Sequence, residues 1–104
     1  MENKTRTRDD LRVKLVAALG SDKVYYQPPG RLEYPCIVYD KADYNIKYAN
    51  DKKYFKKVLY TVTFIHKDPD DLTVIDNLLD FDYCDFDRRF ISDNLYHDVF
   101  NIYW

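Results

Sequence analysis

Glycine is nearly missing from this chain, with only Gly20 and Gly30 in 104 residues. Loops that cradle phosphate need glycines at fixed spacing, so Walker and dinucleotide-binding fingerprints are excluded. Cysteine is equally scarce. Cys36 and Cys84 stand alone, with no CxxC pair and no Cys/His cluster, which argues against a zinc site. Both lie in apolar strand-like runs and read as small buried hydrophobes, and a disulfide between them would require neighbouring strands. No apolar run approaches membrane-spanning length. Met1 to Asp10 is polar and charged throughout, unlike a signal peptide. The expectation is therefore a reducing cytoplasm and no membrane partner. Low-complexity tracts are also lacking, which confines expected disorder to the ends, with residues 1–5 as a loose tail.

What the chain does hold fits one domain spanning 1–104. Apolar residues make up 46% and charged residues 33%, a globular composition with a wet surface. Aromatics are in surplus: 11 Tyr, 6 Phe and 1 Trp. A tyrosine ring suits half-buried strand positions by simple β-propensity, and it equally suits interfaces where its hydroxyl finds a partner. The net charge of −2 hides an asymmetry. Residues 1–67 carry 14 Lys+Arg against 8 Asp+Glu, a net +6, while residues 68–104 carry 2 Arg against 10 Asp, a net −8. If folding preserves part of that split, the molecule has complementary faces suited to head-to-tail contact with its own copies.

Hydrophobic spacing places a helix from Thr7 to Leu19. Thr7 is its N-cap, Asp9 and Asp10 lie in the first turn, and Leu11, Leu15, Ala18 and Leu19 form one buried face before Gly20 stops it. A short strand at Val24 to Gln27 ends at Pro28-Pro29-Gly30. The longest strand candidate runs from Cys36 to Ala49. Six of its seven even positions are apolar or aromatic, which predicts that the even face points inward and that the first half is covered on both faces. After a turn at Asn50–Lys52, a return strand from Lys53 to His66 buries its own even set, with Thr61 and Thr63 on the other side. The two form a hairpin of a dozen or so residues per arm.

Asp68-Pro69 predicts a second helix, with Asp68 as N-cap, a stripe of Leu72, Ile75, Leu78 and Leu79, and an end near Asp80 to Asp82. Strands at Tyr83–Ile91 and Leu95–Tyr103 follow, joined at Asp93-Asn94, and Tyr96, Phe100, Ile102 and Trp104 share a face of the last. The predicted fold class is α+β. Its order is α-β-β-β-α-β-β, with a mainly antiparallel sheet of about five strands, two helices packed on it together, and a long central hairpin.

Chemistry is thin. His66, Asp68, Asp70 and Asp71 suggest a metal at first sight, but helix capping explains the aspartates. Asp80, Asp82, Asp85 and Asp87 lack the turn glycine and terminal Glu of a calcium loop and read as an exposed acidic edge. His97 and Asp98 are strand neighbours that point to opposite faces, so they form no base–orienter pair by themselves. Ser21 and Ser92 lie in no nucleophile-elbow motif. The expectations are no catalytic residues, no metal, no cofactor and no enzyme activity.

The candidate site is the hairpin end, comprising Tyr44, Lys47, Tyr48, Asp51, Lys52, Lys53, Tyr54, Lys56 and Lys57, with Phe55 beside them. Three readings are open. The lysines guard a solvated hairpin edge, the hairpin reaches onto a neighbouring subunit, or basic and aromatic residues together bind nucleic acid by phosphate neutralisation and stacking. The sequence pI of about 5.6 speaks against a free nucleic-acid binder.

The element order, the "Tyr-Pro-x-Ile-Val-Tyr" opening of the hairpin at 34–39, the "VYYQPPG" segment at 24–30 and the ending "DRRFISDNLYHDVFNIYW" at 87–104 together resemble the tail completion, or tail terminator, proteins of long-tailed bacteriophages. Other small virion proteins of the head–tail joint share the style. The resemblance covers nearly the whole chain. It implies a structural protein of the virion tail, assembled in the host cytoplasm as a ring of usually six copies. The ring would cap the tail tube, meet a head–tail connector protein, and let DNA pass through its lumen. It implies no catalytic residue and no cofactor.

Overall fold

A computed structural model describes residues 7–27, 30–49 and 52–104, with the backbone alone for 43–49 and 52–57. The expected tail at 1–5, the Pro28-Pro29 break and the Asn50-Asp51 turn lie outside the described residues.

Helix α1 runs from Arg8 to Leu19. Thr7 closes a capping box with Asp10: the Asp10 amide donates to Thr7 Oγ1, and the Thr7 amide donates to Asp10 Oδ2, each at 3.1 Å. Gly20 ends the helix at φ 80°, where a side chain would be strained, and its amide donates to the Val16 carbonyl. Leu11, Leu15 and Ala18 are buried as the spacing predicts, and Leu19 is half-buried.

Five strands follow: β1 (Val24–Tyr26), β2 (Cys36–Ala49), β3 (Lys52–His66), β4 (Cys84–Ser92) and β5 (Leu95–Tyr103), with helix α2 (Thr73–Leu79) between β3 and β4. The sheet order is β1-β2-β3-β5-β4. Every pairing is antiparallel except β1 with β2, which is parallel. The fold is α+β in the expected element order.

Both helices lie on one face of the sheet. Leu11, Leu15 and Ala18 of α1 and Val74 and Leu78 of α2 enclose a core with Ile37, Tyr39, Tyr60, Val62, Phe64, Phe100 and Ile102. The Asn77 side chain ties the helices together by donating to the Ala18 carbonyl at 3.0 Å, which satisfies one of the free carbonyls at the end of α1. On the opposite face a smaller cluster of Cys36, Ile65 and Leu95 is covered by Tyr25, Leu32 and Val38.

The inward face of β2 differs from expectation. Odd residues Ile37 and Tyr39 enter the helix-covered core, while Cys36 and Val38 back the smaller cluster. The cause is a bulge between Lys41 and Asp43, where Ala42 has no partner and the alternation slips by one. Beyond it, even residues Tyr44 and Ile46 stand opposite Val58 and Lys56 of the β3 even set. The early part of β2 is covered on both faces, and β3 buries its even residues Tyr60, Val62, Phe64 and His66, as expected.

Helix α2 is shorter than predicted. Asp68 and Asp71 accept the Asp70 and Thr73 amides in local turns, so the chain is not helical until Thr73, and the N-cap is Leu72 with no side-chain bond. The buried residues are Val74 and Leu78, whereas Leu72 and Leu79, both expected inside, are exposed. The last hairpin turns at Asp93 and Asn94 with φ of 53° and 62°, the two-residue turn whose twist matches the strands it joins. No helix among the described residues is long and apolar enough to cross a membrane.

Candidate functional site

The β2–β3 hairpin is the longest feature of the sheet, with strands of 14 and 15 residues. β1 accompanies β2 only from Ile37 to Tyr39, and β5 accompanies β3 only from Leu59 to His66. Val58 still accepts from the Trp104 amide at 2.9 Å, and the pairs beyond Tyr44–Val58, from Asn45–Lys57 to Ala49–Lys52, form a two-stranded arm without further strand neighbours among the described residues. At about 3.3 Å per residue it reaches about 20 Å beyond the sheet. The molecule measures 47 × 23 × 22 Å, and its radius of gyration of 14.7 Å exceeds the roughly 13 Å expected of a round domain this size.

Most of the residues singled out from sequence lie on this arm. Lys47 pairs with Phe55, Tyr48 with Lys53, Lys52 with Ala49, Lys56 with Ile46 and Lys57 with Asn45. Tyr54 is the extra residue of a second bulge between Lys47 and Tyr48. Asp51 lies outside the described residues. The backbone thus gathers eight of the nine candidates, Tyr44, Lys47, Tyr48, Lys52, Lys53, Tyr54, Lys56 and Lys57, on one ribbon.

Tyrosines nearer the body pack. Tyr26 and Tyr39 meet edge to face at 5.2 Å, Tyr39 lies 6.2 Å from Tyr60, and the Arg8 guanidinium covers Tyr26 at 4.1 Å. Burial pushes the Tyr39 hydroxyl above its ordinary value.

At the other edge, β4 carries Phe86, Phe90 and Ile91, and every residue after Cys84 is exposed. Asp80, Asp82, Asp85 and Asp87 line this region as the exposed acidic edge the sequence predicts. Among the described residues no group of three or more His, Cys, Asp or Glu is placed to hold a metal ion. Cys84 is half-buried rather than buried, because β4 has no neighbour on its outer side among the described residues. Both cysteines are free, and β3 and β5 separate their strands.

Sequence reasoning missed one buried cluster. Asp98, fully buried on β5, accepts from His66 Nε2 at 2.6 Å and from Arg89 Nε and Nη2 at 2.5 and 3.0 Å. Burial pushes the Asp98 carboxyl up, but the Arg89 and His66 hydrogen bonds outweigh it and hold the group below its usual range. An ionised Asp98 only accepts, so His66 carries its proton on Nε2. Its ring stacks on Phe64 at 4.3 Å, and Nδ1 is buried without a partner among the described residues. His66 also borders a cavity of about 330 Å³ lined by Leu19, Tyr34, Phe64, Asp71 and Val74. Imidazole oriented by carboxylate is the pairing a general base uses, yet here it joins three adjacent strands under aromatic cover, as a structural clamp would. The available signal was an aspartate among Tyr96, Phe100 and Ile102, on a face otherwise apolar or aromatic.

The chain matches no protein-family model and no curated protein sequence.

Proposed function

We propose that the chain is a structural virion protein, a ring-forming tail terminator that caps the tail tube of a long-tailed phage and forms the tail side of the head–tail joint. One observation carries the reading, namely the two-stranded arm beyond Tyr44–Val58. An isolated hairpin is marginal in water, so one projecting about 20 Å from its sheet calls for a surface to rest on. A neighbouring copy supplies that surface in a ring. The sequence resemblance points the same way, and the surplus of tyrosine and the split charge suit subunit contacts. DNA would pass through the lumen, and the tail tube and a head–tail connector would meet the two ends of the ring.

Native mass spectrometry and light scattering test the reading. The expected result is a closed ring, six copies being the favoured number, or assembly on purified tail tubes. A strict monomer that never binds tubes overturns it. Electron micrographs of particles lacking the protein should show full heads unjoined to tails, or tails of uncontrolled length. The lysines of the arm favour a second reading, a nucleic-acid binding module. It predicts salt-sensitive DNA or RNA binding that disappears when Lys52, Lys53, Lys56 and Lys57 become Glu.

A further inference from the structure

The outer strand β4 is long for an edge. Natural sheets shorten their edge strands, bulge them, charge them or cover them, because an open edge invites another strand. β4 has one bulge, at Asp87, but is neither short nor, among the described residues, covered. β4 has nine residues and no outer neighbour among the described residues. It shows apolar side chains, with Phe86 48%, Phe90 41% and Ile91 65% exposed. Phe86 and Ile91 stand opposite Phe100 and Tyr96, on the helix-bearing face. Helix α2 lies against both α1 and β4. Its Asn77 faces α1, so by helical geometry Leu79, and Leu72 two turns earlier, fall toward the β4 side. Both are exposed, at 44% and 54%. The edge is ringed with negative charge. Residues 80–93 hold five aspartates against two arginines; Arg89 is committed to Asp98, and Arg88 pairs with Asp87 at 2.8 Å.

We propose that this edge, with the apolar face beside it, receives the β2–β3 arm of a second copy. The inference rests on the ring reading and names the surface its subunits share. Charge complementarity selects the occupant: residues 43–57 hold five lysines against two aspartates, the reverse of residues 80–93. Backbone supply also matches. Each strand of the arm runs beyond the body without an outer partner, over a length comparable with β4, as strand addition requires. The arm brings Tyr44, Tyr48, Tyr54 and Phe55 to an edge that displays Phe86, Phe90 and Ile91. Arm and edge are different surfaces, so the contact is head to tail and closes into a ring when its rotation allows. Five aspartates make the edge repel nucleic acid and anionic lipid.

Two full-length variants test this. One carries Lys52→Glu, Lys53→Glu, Lys56→Glu and Lys57→Glu; the other carries Asp85→Lys and Asp87→Lys. Circular dichroism establishes that each folds. Each alone should associate at least about tenfold more weakly than the unmodified chain. Equimolar mixing should restore assembly with equal numbers of both, because each reversed surface then meets its opposite. Independently of folding, carbodiimide coupling of mixed ¹⁴N- and ¹⁵N-labelled unmodified chains should join peptides containing Lys52–Lys57 to peptides containing Asp80–Asp87 between copies. Assembly that ignores both variants, mixing that restores nothing, or coupling confined to other surfaces overturns the docking while leaving the ring reading intact. The predicted coupling in open chains that never close overturns the ring and leaves the docking. An unmodified chain that stays monomeric at millimolar concentration, with and without purified tail tubes, overturns both.

Discussion

His66 of β3 and Asp98 of β5 meet on the diagonal of two paired strands, Nε2 to Oδ2 at 2.6 Å, and Arg89 of β4 grips the same carboxylate from the other side. Three strands are thus joined through one buried anion. Desolvating that anion is costly, and the two donors offset the cost. Removing the carboxylate would leave His66 and Arg89 facing a weaker acceptor. Asp98→Asn is expected to lower stability by about 2–4 kcal/mol, less than for a fully buried triad because the Arg89 side chain is one-third exposed. Thermal melting should show a fall of about 10 °C or more. A change below about 1 kcal/mol would mean that the cluster is incidental.

Acid should undo the same cluster. The folded Asp98 carboxyl sits below its ordinary value, so the unfolded chain binds its proton more readily. The stability this provides is complete above the unfolded value of about 3.9 and disappears as pH falls through the folded one. Urea midpoints measured from pH 6 to pH 2.5 should drop, and Asp98→Asn should flatten the part of the slope below about pH 5. Equal slopes in the two proteins would remove Asp98 from the account.

The thiols should be quiet. Burial pushes Cys36 and Cys84 up to about 11, so at pH 8 almost none of either is thiolate. With two strands between theirs and a five-residue offset along β5, from His97 to Ile102, their separation is about 22 Å, against the 7 Å limit for a disulfide. Titration with a thiol reagent at pH 8 should be slow on the folded chain, complete after urea, and unchanged by prior incubation with oxidised glutathione.

Helix α1 offers two independent local tests. Thr7→Ala breaks the capping box and should cost about 1 kcal/mol. Gly20→Ala meets open space, so its cost of about 1 kcal/mol is purely that of holding alanine at positive φ. Lying at opposite ends of the helix, the two should add in urea titrations.

The elements legible in the sequence were those whose signals are local. Thr7, Gly20 and Asp93-Asn94 announce their caps and turn by residue type alone. The β2 face was lost at Ala42, because nothing in an alternating run marks a bulge until its partner strand is known. The start of α2 was lost because Asp68 and Asp71 cap turns as readily as helices. Of the functional features, the basic arm could be read from its lysines, since charge needs no partner to be seen. The Asp98 cluster draws His66 and Arg89 from other strands, 32 and 9 residues away, and only the sheet order brings them together.

Trp104 donates from Nε1 to the Thr7 carbonyl at 2.9 Å and lies 6.1 Å from Phe81. The chain's single tryptophan therefore stands at a seam of the body, between the first turn of α1 and the residues after α2, and its backbone amide donates to the Val58 carbonyl at the root of the arm. Its emission reports the closing of that seam. Tyr39 and Tyr60 are buried in the same body, so tryptophan and tyrosine signals should move together as it folds. A tyrosine change that comes after the tryptophan signal has settled then reports the arm.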